Sequence, residues 1–105
     1  MVAPGNDNAQ DHPIDGRPEY LLFVSGMSVK SLRAIENFNA IYLNYLKDSA
    51  TLKIIDISME KEYAVRYGIV AIPTLIRSNP IPVRTIVGDL SDTSKVLEYL
   101  GILEK

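Results

Sequence analysis

The side chains that carry most biological chemistry are nearly absent from this sequence, which has no cysteine and one histidine, His12. Without thiols there are no disulfides, thiolate nucleophiles, dithiol redox pairs or cysteine-ligated metals. A single imidazole supplies neither a paired-histidine metal site nor a core Ser/His/Asp triad. His12 itself lies in a polar terminal segment, where a solvated role is expected. What remains is two serine-bearing turns. Ser25-Gly26-Met27-Ser28 separates an apolar run from a helically periodic one, and a helix N-terminus there would lower the pKa of a thiol. Serine has none to exchange, so a redox enzyme is not expected, and a glutathione-using enzyme without its own cysteine is the remaining enzymatic alternative. Gly88-Asp89-Leu90-Ser91 could offer backbone N–H groups to a phosphate. Asp89 and Asp92 oppose an anion and the spacing is not that of a phosphate-binding glycine loop, so a structural turn and helix cap is expected. No catalytic residue, cofactor or metal is expected.

The cations Arg33, Lys53, Arg77 and Arg84 are candidates for contact with an acidic partner surface, weighed against an ordinary solvated rim of charge. Tyr63 and Tyr67 either join such a surface, since aromatics are enriched at binding hot spots, or pack a short helix onto a sheet. The formal net charge of −2 gives no basic field, which excludes a typical nucleic-acid binder. No apolar run approaches the roughly 20 residues of a membrane span, and residues 1–17 lack the apolar core of a secretory signal. A cytoplasmic protein is expected.

A chain of 105 residues with 47% hydrophobic and 23% charged residues accommodates one small domain. Residues 1–19 hold Pro4, Gly5, Pro13, Gly16 and Pro18 among polar residues. Such a stretch buries too little apolar surface to offset its ordering entropy, and reads as a disordered tail ahead of a domain over 20–105. The run Tyr20-Leu21-Leu22-Phe23-Val24 is apolar on both faces, as in a central strand covered on each side. Ser28 is placed to cap a helix, and Val29, Leu32, Ile35, Phe38, Tyr42 and Tyr45 mark one face of it over about 18 residues.

A second strand follows over 51–57. Ser58 then caps a short helix over 59–67, and Gly68 ends it. Pro73 enters a third strand, where X–Pro bonds can be cis. Ser78-Asn79-Pro80-Ile81-Pro82 turns into an antiparallel strand over 83–87. Ser91 or Asp92 caps a last helix whose apolar face is Val96, Leu97, Leu100 and Leu103. The fold class is therefore α/β, in the order βαβαββα around one sheet with helices on both faces, which is the thioredoxin-like arrangement.

Several stretches resemble a known family. Ile72-Pro73-Thr74-Leu75 is similar to the cis-proline strand of thioredoxin-like proteins. Pro80-Ile81-Pro82-Val83-Arg84 and Ile86-Val87-Gly88-Asp89-Leu90-Ser91-Asp92 resemble the proline-rich loop and Gly-Asp-Leu-Ser segment of the KaiB family of circadian clock proteins. Val24-Ser25-Gly26, Ser31-Leu32-Arg33-Ala34 and Lys53-Ile54-Ile55-Asp56-Ile57 fit the same family in the same order.

The resemblance implies a non-enzymatic adaptor that binds a KaiC-type ATPase, a hexameric ring, and modulates its phosphorylation or ATPase cycle. It implies an interface near the second strand, the second helix and the proline-rich hairpin. It also implies two folds: a thioredoxin-like monomer that binds KaiC, and a βαββααβ ground state found in dimers or tetramers, with isomerisation at Pro73, Pro80 and Pro82 as a candidate slow step. Gly88 and Asp89 belong to the rewired half. Tyr99 and Gly101 stand where cyanobacterial members usually carry Gly and Asp, positions that influence the balance between folds. The alternative from the same resemblance is an interaction domain of a histidine-kinase pathway, with that kinase or another clock protein as partner. Such a module would normally precede a kinase, whereas this sequence stops at Lys105.

Overall fold

The computed structural model describes residues 16–103. His12 and the greater part of the expected tail lie outside the described residues. The chain is already engaged before residue 20: Arg17 donates to the Asp48 carbonyl at 2.7 Å, and the Pro18 carbonyl accepts from the Thr51 N–H at 2.9 Å.

The elements run β1 (Glu19–Val24), α1 (Val29–Ile41), β2 (Thr51–Asp56), α2 (Lys61–Tyr67), β3 (Thr74–Asn79), β4 (Arg84–Val87) and α3 (Thr93–Tyr99). The sheet order is β2-β1-β3-β4. β1 lies parallel to β2 and antiparallel to β3, and β3 is antiparallel to β4. The expected βαβαββα order and its two-sided sheet are therefore observed.

The reason is the composition of β1. Side chains alternate across a strand, so Tyr20, Leu22 and Val24 pack into one core with Phe38, Leu75, Val96 and Leu97 from α1, β3 and α3. Leu21 and Phe23 face the other way, into a smaller core with Ile55 and Ile76, flanked by Tyr63 and Tyr67 of α2. Burying each large apolar side chain contributes about 1.5–3 kcal/mol, so neither face of β1 can be left to solvent.

The helix after the first turn has the expected length, because α1 continues through a π-helical turn, Tyr42–Leu46, and a 3₁₀ turn, Lys47–Ser49. Its buried face differs from the expected one. Ser31, Ala34, Phe38 and Ile41 are buried, whereas Val29 and Leu32 are exposed at 64% and 40%. Small residues let the helix approach the sheet closely, and Ser31 is tolerated there because its hydroxyl accepts from the Ser25 N–H at 3.1 Å.

α2 begins at Lys61 rather than 59, and Ser58 does not cap it. The Ser58 N–H and hydroxyl both donate to Asp56 Oδ1, at 3.0 and 2.7 Å, which forms a tight bend before the helix can start. Gly68 ends α2 at φ 64°, as expected of a left-handed cap. β3 starts just after Pro73, and β4 starts at Arg84 rather than 83. Asp92, not Ser91, caps α3 by accepting from the Lys95 N–H at 3.2 Å. Leu103 stays exposed while Val96, Leu97 and Leu100 are buried.

The two faces of α1 separate by mutation. Phe38→Ala opens a cavity in a fully buried position and is expected to lower unfolding stability by about 3–5 kcal/mol. Leu32→Ala, which the periodicity alone ranks beside it, is expected to lose less than about 1 kcal/mol. Urea denaturation of both variants measures the difference, and equal losses would contradict the packing described.

Candidate functional site

The turn between β1 and α1 is held by acceptors on three sides. Ser28 caps α1 by accepting from the Ser31 N–H at 3.3 Å, Ser31 accepts from Ser25, and the Gly26 N–H donates to Asp56 Oδ1 at 3.1 Å. Gly26 has φ 53°, a conformation that costs a side-chain-bearing residue about 1–2 kcal/mol. The Ser28 and Ser31 hydroxyls are thus used to fix backbone. Hydrogen bonds from the Ser58 hydroxyl, the Gly26 N–H and the Ser58 N–H hold the Asp56 carboxyl below its ordinary pKa. Among the described residues no group of three His, Asp or Glu side chains could hold a metal ion, and no helix is long and apolar enough to cross a membrane.

A second constellation lies on the outer strand β2 and on α2. Lys53 donates from Nζ to the Tyr63 hydroxyl at 2.7 Å and sits 4.5 Å from the ring centroid. The Arg66 guanidinium approaches the same ring at 5.5 Å. Two cations sharing one aromatic ring are held in position by its quadrupole, at about 0.5–1 kcal/mol each when exposed. The hydrogen bond to Tyr63 raises the Lys53 pKa. Lys53 therefore stays charged, and the cluster presents ordered positive charge beside the outer edge of β2, with which no other described strand pairs. Tyr67 points inward instead, its ring 5.7 Å from that of Phe23.

Arg77 and Arg84 are opposed across β3 and β4 and are half-buried, so they do not form an exposed rim. Arg77 donates to the Leu100 carbonyl at 2.9 Å and to the Pro82 carbonyl at 2.7 Å. Arg84 lies 5.0 Å from the ring centroid of Tyr99. The two cations thus secure the C-terminal end of α3, where the carbonyl dipoles favour positive charge. Burial raises the pKa of the Tyr20 hydroxyl, and the charge of neighbouring Arg77 partly offsets this. Gly101 follows at φ 72° with the Arg77 guanidinium close by.

Pro73 is buried, and its carbonyl accepts from the Gly88 N–H at 2.9 Å. The Ile72–Pro73, Asn79–Pro80 and Ile81–Pro82 bonds are cis, and Pro80 and Pro82 lie exposed in the hairpin. Gly88, at φ 124°, leads into a turn in which Asp89 Oδ1 accepts from the Ser91 N–H at 3.1 Å and the Asp89 carbonyl from Asn37 at 2.7 Å. This is the structural turn expected of that segment. Arg33 is exposed on α1, and its charge reaches Asp89.

The six candidate contact residues therefore do not form one surface. Lys53 and Tyr63 come together, with Tyr67 packed behind them; Arg77 and Arg84 lie on the opposite face of the sheet, and Arg33 stands apart. Sequence reasoning missed Arg66, which the i+3 spacing from Tyr63 on a helix could have found. It also missed Asp56 as the anchor of the first turn, a contact across 30 residues with no local signal.

Asp56 gives a pH prediction. Its folded pKa is depressed, so its contribution to stability is fully present above the ordinary value and is lost as pH falls through the folded one. The Asp56 carboxyl, followed by NMR, is expected to titrate below the ordinary 3.8. In Ser58→Ala its midpoint is expected to rise towards that value, and an unmoved midpoint would remove the assigned cause.

Known proteins resemble this chain in fold and in sequence. The chain has the fold of the germline-specific thioredoxin Deadhead from Drosophila melanogaster, with TM-score 0.70 and 17% identity over 98% of this chain and 96% of that one. It likewise resembles the N-terminal domain of Synechococcus elongatus SasA, with TM-score 0.65 and 18% identity over 90% and 92%. In sequence it is 42% identical over 82 residues to the circadian clock oscillator protein KaiB of Prochlorococcus marinus (strain MIT 9312), 78% of each chain. The KaiB domain matches residues 21–102. That span takes in all but the first two residues of β1 and everything after it through α3: the chain belongs to the KaiB family of circadian clock proteins.

Proposed function

We propose that this chain is a non-enzymatic regulatory adaptor that binds a KaiC-type ATPase ring as a thioredoxin-like monomer and modulates the ring's phosphorylation or ATPase cycle. The observation that carries the reading is the Lys53–Tyr63–Arg66 cluster on the exposed side of β2 and α2. It combines pre-positioned cations, an aromatic ring and a strand edge that no other described strand pairs with, three elements by which one protein recognises another. The absence of a thiol at the Ser25–Ser28 turn supports binding over catalysis. A second, oligomeric arrangement of the C-terminal half, dimeric or tetrameric, forms part of the same proposal.

Co-elution with the cognate ring protein, in ATP and in ADP, is the direct test. Wild-type protein is expected to form a complex in at least one nucleotide state. Lys53→Glu is expected to weaken it by about tenfold or more through charge reversal at an ordered contact, with unfolding stability nearly unchanged because the residue is exposed. No complex in any nucleotide state would sink the adaptor reading, and an unaffected Lys53→Glu would move the interface elsewhere. Slowly exchanging paired amide signals whose ratio follows protein concentration would support the second arrangement, and a single species throughout would remove it.

A further inference from the structure

The far side of the sheet from β2 ends in β4, a second edge that no other described strand covers. In the register Thr74↔Val87, Leu75↔Ile86, Ile76↔Thr85 and Arg77↔Arg84, the Gly88 N–H donates to the Pro73 carbonyl. Ladder bonds alternate along an antiparallel pair. The main-chain groups of Arg84 and Ile86 therefore face β3, while those of Thr85 and Val87 face outward. Only its shortness, four residues, and Arg84 at its start blunt this edge: β4 has no lysine and no proline, no other described strand pairs with it, and Val87 is 61% exposed.

Beside it, α3 and β4 enclose a groove of about 740 Å³. Its wall is largely apolar, with Ile86, Leu90, Val96 and Tyr99, and its charged lining is Asp89, Asp92 and Glu98 against Lys95. A free edge beside an apolar groove suits an added strand, in which main-chain pairing supplies affinity and alternate side chains enter the groove. The rim selects the occupant. A second copy of this chain would bring three carboxylates and only one lysine against the same set, whereas a segment bearing lysine or arginine meets the excess carboxylates with opposite charge.

We propose that the β4 edge and the β4–α3 groove receive an extended segment of a partner protein, apolar at its centre and basic at its flanks, which pairs with Thr85 and Val87 as a fifth strand. The surface is separate from the Lys53–Tyr63–Arg66 cluster, so it stands or falls independently of the ring-binding reading.

The probe is a fluorescent peptide of alternating valine and threonine flanked by lysines, compared with the same peptide flanked by glutamates. The lysine-flanked probe is expected to bind at least about tenfold more tightly, with amide shifts concentrated at residues 85–87. Thr85→Pro, which deletes an outward-facing N–H at an edge where proline is tolerated, is expected to abolish binding. Glu98→Lys, on the exposed side of α3, is expected to weaken the lysine-flanked probe about tenfold and keeps the test decisive if Thr85→Pro fails to fold. Equal affinity for both probes, amide shifts at β2 instead, or a folded Thr85→Pro that binds like wild type would overturn the proposal. So would a concentration-dependent dimer lost in Thr85→Pro, which would assign the edge to a second copy.

Discussion

A single strand with two apolar faces dictates the architecture. Tyr20, Leu22 and Val24 require a layer on one side of the sheet, and Leu21 and Phe23 require one on the other. Aromatic contacts secure each layer: Tyr20 and Phe38 lie 5.4 Å apart on one side, Phe23 and Tyr67 5.7 Å apart on the other. Tilted rings at such distances add to the burial of their surfaces. With both faces of β1 occupied, the sheet can meet other molecules mainly along its margins. β2 is left outermost on one side and β4 on the other, and the exposed chemistry gathers beside these two strands.

The segment over residues 88–92, one of those that resemble the KaiB family, is used for construction. After Gly88 the chain passes through Asp89 into Leu90, which takes φ 64° while its side chain is buried. A left-handed conformation costs a residue such as leucine about 1–2 kcal/mol. Burying its side chain offsets a comparable amount, and the bond from Asn37 to the Asp89 carbonyl ties the turn to α1. The Arg77 and Arg84 contacts then bind the end of α3 to the β3–β4 hairpin. Turn, hairpin and helix are therefore held as one connected unit, and the thioredoxin-like arrangement of the C-terminal half rests on it.

The order of elements was legible because it depends on composition along the chain: a two-faced apolar run, a long periodic segment, and prolines and glycines at the breaks. The caps at Ser28 and Gly68 were legible for the same local reason. The buried face of α1 was not, because apolar periodicity counts Val29 and Leu32 but cannot see that Ser31 and Ala34 matter for being small. The roles of Arg77 and Arg84 were hidden for another reason. Their partners, the Leu100 carbonyl and the Tyr99 ring, are brought to them only by the fold. At the candidate site, Lys53 and Tyr63 could each be suspected from residue type, but their pairing at 2.7 Å is a property of β2 lying against α2.

α2 contains no fully buried residue; it contacts the smaller core through the partly covered rings of Tyr63 and Tyr67. Most of its positions therefore make little demand on the stability of the domain, and substitutions there leave the packing of the sheet largely intact. A helix with such freedom can drift through sequence space while the sheet and the larger core stay fixed. Lineages can in this way change the surface that α2 presents without passing through poorly folded intermediates.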